Sequence, residues 1–139
     1  MRKLMVLAVA VAALVGVMPL ANAGATPSGG SPVTITIAFS GGSPVSGTFT
    51  ATGAFCVSGT ATESGANGTF RLTTLTCGDS SGSIALHFAQ YGNDGTPAVW
   101  QVRKNEGTGA YAGMSGGGAV TLDNCGTFPC DVDLTGTLG

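Results

Sequence analysis

The sequence predicts an all-β domain, an eight-stranded antiparallel up-and-down barrel, with a two-sheet β-sandwich as the structural alternative. Three observations carry this. Apolar and polar residues alternate with a period of two through several short segments. Clusters of Gly, Ser, Asn, Asp and Pro punctuate those segments at short intervals. Past residue 23 no stretch repeats its apolar residues with the 3.6-residue period of a helix.

The chain opens with a processing segment. Arg2 and Lys3 precede an apolar run from Leu4 to Val17, Pro19 breaks the run, and Ala21-Asn22-Ala23 has the small-x-small pattern read by signal peptidase. The run is short for a membrane span and no stop-transfer pattern follows. Residues 1–23 are therefore expected to be a signal peptide cleaved after Ala23, with no membrane anchor left. Residues 24–32, made of Gly, Ala, Ser, Thr and Pro, read as a flexible lead-in. Residues 33–139 read as one barrel domain.

The first strand is expected from Val33, where Val33, Ile35, Ile37 and Phe39 alternate with Thr34, Thr36, Ala38 and Ser40. Gly41-Gly42-Ser43-Pro44 turns the chain. Val45, Gly47, Phe49 and Ala51 mark the inner face of the second strand, and Phe55, Val57, Gly59 and Ala61 that of the third. A turn over Ser64–Gly68 leads to a fourth strand opened by Phe70 and Leu72, whose phase slips at Thr74-Leu75 as a bulge would make it. Ile84, Leu86 and Phe88 define the fifth strand, with His87 on its outer face, and Gly92-Asn93-Asp94-Gly95 is a strong turn signal. Trp100 and Val102 anchor the sixth, Val120 and Leu122 the seventh, and Val132 and Leu134 the eighth. A closed barrel leaves no sheet edge exposed, which suits a β-rich chain with few charged residues.

Composition narrows the partners. Of the five basic residues, Arg2 and Lys3 fall in the signal segment, which leaves Arg71, Arg103 and Lys104 against seven acids. Three bases cannot track a phosphate backbone, so nucleic acid is not an expected partner, and anionic lipid is disfavoured for the same reason. The four cysteines, Cys56, Cys77, Cys125 and Cys130, read as disulfides in an exported chain. Zinc is the rival reading, but the spacing lacks paired short intervals and His87 does not complete a ligand set, so no metal and no cofactor are expected. Pairing the third and fourth strands with Ala61 opposite Leu72 sets Cys56 opposite Cys77 on the outer face, with Gly65–Gly68 as the hairpin turn. Cys125 and Cys130 then bracket a short loop between the last two strands.

Trp100-Gln101-Val102, the stretch Gly107-Thr108-Gly109-Ala110-Tyr111-Ala112-Gly113-Met114-Ser115-Gly116-Gly117-Gly118, and Gly47-Thr48-Phe49-Thr50-Ala51-Thr52-Gly53 together resemble small secreted bacterial proteins of unknown function. These are similar to the dirigent and allene oxide cyclase-like barrel group. The resemblance implies an eight-stranded antiparallel barrel and carries no catalytic residue onto this chain.

No residue set converges on a catalytic motif. Gly107-Thr108-Gly109 precedes no helix, so it reads as a bend and not a phosphate cradle. His87 lacks a nucleophile in sequence reach. Asp131 and Asp133 share a solvated strand face, and Asn67-Gly68-Thr69, though a glycosylation acceptor in form, reads as turn. Trp100 and Tyr111 are the candidates for lining a ligand-binding barrel mouth, where a small apolar ligand would sit. The expected function is a secreted, non-catalytic binding or surface module, extracellular or periplasmic. The alternative is a small-molecule cyclase or isomerase, or a carrier of lipophilic ligands, working from the barrel interior. A filled bore separates the first from the second.

Overall fold

Strict alternation builds the walls of the structure, a computed structural model that describes residues 29–64, 72–94 and 96–139. Strand β1 (Ser31–Gly41) buries Val33, Ile35, Ile37 and Phe39 and exposes the residues between them. It is followed by β2 (Ser46–Gly53), β3 (Ser58–Glu63), β4 (Leu72–Cys77) and β5 (Gly82–Ala89), and then by β6 (Val99–Val102), β7 (Thr108–Gly109), β8 (Gly116–Asp123) and β9 (Cys130–Leu138). No helix occurs among the described residues.

Each strand pairs antiparallel with the next, β6 pairing directly with β8, and β9 returns to β1. With β4 also paired to β5, the sheet is one closed ring of eight strands, and the sandwich alternative is excluded. The ninth element, β7, contributes two residues that pair with Gly82 and Ser83, beside the part of β5 that β6 does not reach. One end of the barrel carries connections 42–45, 90–98 and 124–129. The other carries 54–57, 78–81 and 103–115.

The bore is filled. Ile35, Ile37, Phe39, Leu75, Ile84, Leu86, Trp100, Val132 and Leu134 have no exposed surface, and Phe49 and Leu138 almost none. Trp100 is accommodated because its neighbours across the ladder are Gly118 on β8 and, beyond it, Gly136 on β9. A side chain at Gly118 would place its first carbon 1.9 Å from the Thr135 carbonyl oxygen. The glycine-rich stretch thus ends inside a strand. Sequence alone places the seventh barrel strand at Val120, whereas β8 starts at Gly116, because glycine hides the alternation that backbone pairing preserves.

Other boundaries also move. Ser31 and Pro32 already pair with Leu138 and Thr137, so β1 begins before its first apolar residue. The third strand starts only at Ser58. Phe55 and Cys56 are both buried in the connection before it, and Val57, expected inside, is 77% exposed. Ala61 faces Leu75, not Leu72, and Cys77 faces Gly59. The expected bulge at Thr74-Leu75 is absent, since pairing runs unbroken from Gly59–Cys77 to Glu63–Thr73. The inward set of β4 is Thr73, Leu75 and Cys77, and an inward threonine looks like a slipped phase when only apolar residues are counted.

Both expected disulfides form, Cys56–Cys77 with Cα atoms 5.9 Å apart and Cys125–Cys130 with Cα atoms 4.5 Å apart. The first lies in the core and not on the outer face, because Cys56 sits in the connection before β3 and is buried there. The signal segment, the lead-in as far as residue 28, the Gly65–Gly68 turn, Asn67-Gly68-Thr69, Phe70 and Arg71 lie outside the described residues.

Candidate functional site

On β3 the residues Gly59, Ala61 and Glu63 share one face, and Ala61 has no exposed surface, so that face is the inner one. Parity therefore sends Glu63 into the bore. The same rule on β4 sends Thr73 inward with Leu75 and Cys77. The ladder sets Glu63 directly opposite Thr73. Glu63 is 2% exposed and Thr73 0%, and they are the only buried polar or charged side chains among the described residues.

The backbone beside them is served. The Glu63 amide donates to the Val45 carbonyl and the Ser64 amide to the Leu72 carbonyl, each at 2.9 Å. Their side chains are not. Neither carboxyl oxygen of Glu63 nor the Thr73 hydroxyl has a hydrogen-bond partner among the described residues. Burial disfavours the charged form and pushes the Glu63 carboxyl above its ordinary value. An unsatisfied buried group of this kind costs about 1–3 kcal/mol. The pair lies at the barrel end of connections 42–45 and 90–98, the end to which Phe39, Phe88 and Trp100 also belong.

The opposite end is closed by aromatic packing. Phe49 stacks on Phe55 with ring centroids 5.5 Å apart, and Phe55 meets the edge of Tyr111 at 4.6 Å. The Ser81 hydroxyl donates to the Tyr111 hydroxyl oxygen at 3.4 Å, and Met114 packs on the core beside them. Gly109, at φ +60°, holds the bend against Ser81, whose carbonyl oxygen is 2.2 Å from where a side-chain carbon would stand. Tyr111 is thus part of a plug. Trp100 is a core residue, and its indole N–H donates to the Thr135 carbonyl at 3.3 Å. The structure does not bring these two candidates together, since they belong to opposite ends.

Outside the wall, His87 Nε2 meets Glu106 Oε2, a hydrogen-bonded contact that reaches across from the connection after β6. Sequence spacing gives no hint of it, because the contact depends on how that connection folds back. The nearest paired hydroxyls on the same face of β5 are Ser83 and Thr108, 2.8 Å apart. Ser83 precedes His87 by four residues, about 13 Å along a strand, beyond proton-transfer reach. Asp131 and Asp133 are both exposed, and Asp133 accepts a 2.7 Å hydrogen bond from the Thr36 hydroxyl on the neighbouring strand. No group of three or more metal-ligating side chains forms among the described residues.

The inward acid–hydroxyl pair escapes a reading that counts only apolar residues. Parity was the available signal, since Ala61 is expected inside and Glu63 lies two positions on.

A closed antiparallel ring with a solid apolar bore, an aromatic plug at one end and a buried acid at the other defines a small β-barrel domain. Residues 19–134 match DUF3224, a family of proteins of unknown function, and the chain belongs to that family. No curated protein and no solved structure gives a significant match.

Proposed function

We propose that the chain is an exported, non-catalytic binding or surface module that works from the outside of its barrel. The observation that carries this reading is the filled bore, where buried side chains from seven of the eight ring strands, with Val120 and Leu122 of β8 packed against them, occupy the space a lipophilic cargo or cyclase substrate would need. The titratable groups support it as well. Glu63 faces in, His87 faces out from β5 to meet Glu106 of the connection after β6, and Asp131 and Asp133 sit on β9. The resemblance to the dirigent and allene oxide cyclase-like group rests on the sequence and implies a fold alone, which is a poor guide to activity. Two disulfides and the residue 1–23 pattern support export.

The outer wall supplies the working surface. Thr34 lies between Thr52 and Thr135, and Thr36 between Thr50 and Asp133, in consecutive rungs of β2, β1 and β9. A groove of about 270 Å³ runs among Thr34, Thr36, Thr50, Thr52 and the exposed Val57. Titration with a fluorescent fatty acid tests the reading. The expected result is no saturable binding. One-to-one binding with a lasting blue shift would establish an interior carrier and end the proposal. Intact mass of exported protein tests the compartment, and the expected first residue is Gly24.

A further inference from the structure

We infer that Cys125–Cys130 is a thiol-exchange site, opened by an external dithiol that attacks Cys125, and that its opening frees residues 126–129 from a groove on the outer wall. The inference does not depend on what the outer wall binds.

The two disulfides differ in access. Cys56 and Cys77 are 7% and 4% exposed, and both belong to the core. Cys130 is buried as deeply, but Cys125 is half-buried, and Asn124 and residues 126–129 on either side of it are exposed. Gly126 adds no side chain, and nothing stands within 4 Å of where one would begin. Exchange requires a thiolate to reach one sulfur of the bond, so access decides which bond reacts and at which end. Here it selects Cys125.

The reduced form is provided for. Cys125 Sγ lies 3.4 Å from the Asp123 carbonyl oxygen and 3.4 Å from that of Asp131. In the disulfide the sulfur has no hydrogen to offer them. A thiol has one, with two acceptors already in reach. The frame also holds without the bond. β8 and β9 stay paired without a break from Gly116–Leu138 to Asp123–Asp131. A cross-link between residues 5 apart closes a loop that this ladder already closes.

The exchange balances with the dithiol alone. Its thiolate attacks Cys125 Sγ, the bond to Cys130 breaks, and Cys130 keeps the electron pair and takes a proton from solvent. The second thiol of the reagent loses its proton and attacks the reagent's own sulfur in the mixed disulfide. The reagent leaves as a cyclic disulfide, and Cys125 is released and protonated. One dithiol is oxidised and one protein disulfide reduced. A monothiol stops at the mixed disulfide, which Cys130 can expel.

The bond anchors a short lever. Pro129 walls a groove of about 360 Å³ together with Ala38, Ser40, Ser46 and Thr48. Phe128, itself 48% exposed, lays its ring on Gly41, where a side-chain carbon would stand 3.2 Å from it. Cys125 and Cys130 clamp the two ends of this connection. Once the clamp is cut, Phe128 leaves Gly41 and the groove loses its Pro129 wall.

The test treats the folded protein with dithiothreitol, quenches samples with acid over time, caps thiols with N-ethylmaleimide and maps them by peptide mass. Cys125 and Cys130 should be capped together, at least about tenfold faster than Cys56 and Cys77, while far-UV circular dichroism is unchanged. Opening of both bonds at one rate overturns the inference. The attacked sulfur is tested with a nitrobenzoate disulfide reagent on Cys130→Ser and Cys125→Ser. In the folded proteins Cys125 should react and Cys130 should not, and the reverse order overturns the assignment. The wild-type capping result stands without these variants. Release is read from the Gly41 proton signals, which the Phe128 ring shifts. On reduction they should move to their position in oxidised Phe128→Ala, and Gly41 signals that stay put overturn the release.

Discussion

β1 and β9 on one side of the barrel, and β3 and β4 on another, use the same ladder geometry for opposite contents. The first pair turns Val33, Ile35, Ile37, Phe39, Val132 and Leu134 inward, every one apolar and buried. The second turns Gly59, Ala61 and Glu63 against Cys77, Leu75 and Thr73, which sets an acid and a hydroxyl on the inner face; glycine and half of a disulfide are found in both seams, since β9 turns Cys130 and Gly136 inward. Hydrophobic burial at about 25 cal/mol per Å² holds the first seam. The second carries two unmet polar groups at one end and is cross-linked by Cys56–Cys77 at the other. A barrel needs continuity of pairing around the ring. It does not need the same source of stability in every strand.

Ile37→Ala should give the largest effect, a loss of about 2–5 kcal/mol from removed contacts and the cavity left behind. Denaturant unfolding at neutral pH measures it, and a loss below 1 kcal/mol would mean the β1–β9 seam is not the chief apolar anchor. Replacing Cys56 and Cys77 together by serine should cost about 3 kcal/mol, as expected for a cross-link spanning 21 residues. The same change at Cys125 and Cys130, 5 residues apart, should cost less.

Thr73→Val should act in the opposite direction and stabilise by about 1 kcal/mol, because a buried hydroxyl without a partner is replaced by a methyl group. The acid beside it makes the seam sensitive to pH. The Glu63 carboxyl titrates higher in the folded chain than in the unfolded one, so the folded state holds more protons between those two values. Its contribution to stability is therefore complete below the ordinary glutamate value and declines as pH rises through that window. Asp79 and Asp94 act with the opposite sign. Their carboxyls are held low, first by hydrogen bonds from the Ser81 and Thr96 side chains and then from the backbone amides of the same residues. What they contribute is lost as pH falls through the ordinary aspartate range and below. The clean measurement is thus the difference between wild type and Glu63→Gln from pH 4 to 8. Relative to the variant, the wild type should weaken as pH rises, and a flat difference would show that Glu63 is not sequestered. Tyr111→Phe should be the smallest change, within about 0.5 kcal/mol, since only a long hydrogen bond to Ser81 is lost.

The same contrast explains what could be read from the sequence. Strands whose inner faces are uniformly apolar are legible: Val33 to Phe39, Ile84 to Phe88, and Val132 with Leu134 all fall inside as alternation predicts. The barrel and both disulfide pairings follow from such segments and from cysteine spacing. The β3–β4 register does not, because a rule that equates inward with apolar cannot place Glu63 or Thr73. It takes Leu72 as inward and invents a bulge to recover the phase. At Gly116–Gly118 the alternation is silent, since glycine marks neither face. The candidate site is illegible for the same reason: Glu63 counts as one more acid in a charge tally until its strand fixes its direction. The pair between His87 and Glu106 depends on the path of a connection, which no local pattern records.

The seam between β1 and β9 joins the first described strand to the last. During synthesis the strands emerge in order, and each can zip onto its predecessor as a hairpin, but the ring cannot close until Cys130–Leu138 has left the ribosome. Until then β1 and β8 each present a bare edge, with Asp123 at the end of β8 as the one charged side chain on the two strands. A chain cut short before β9 would keep both edges for good. Its expected fate is edge-to-edge association with other copies and not a slightly smaller barrel.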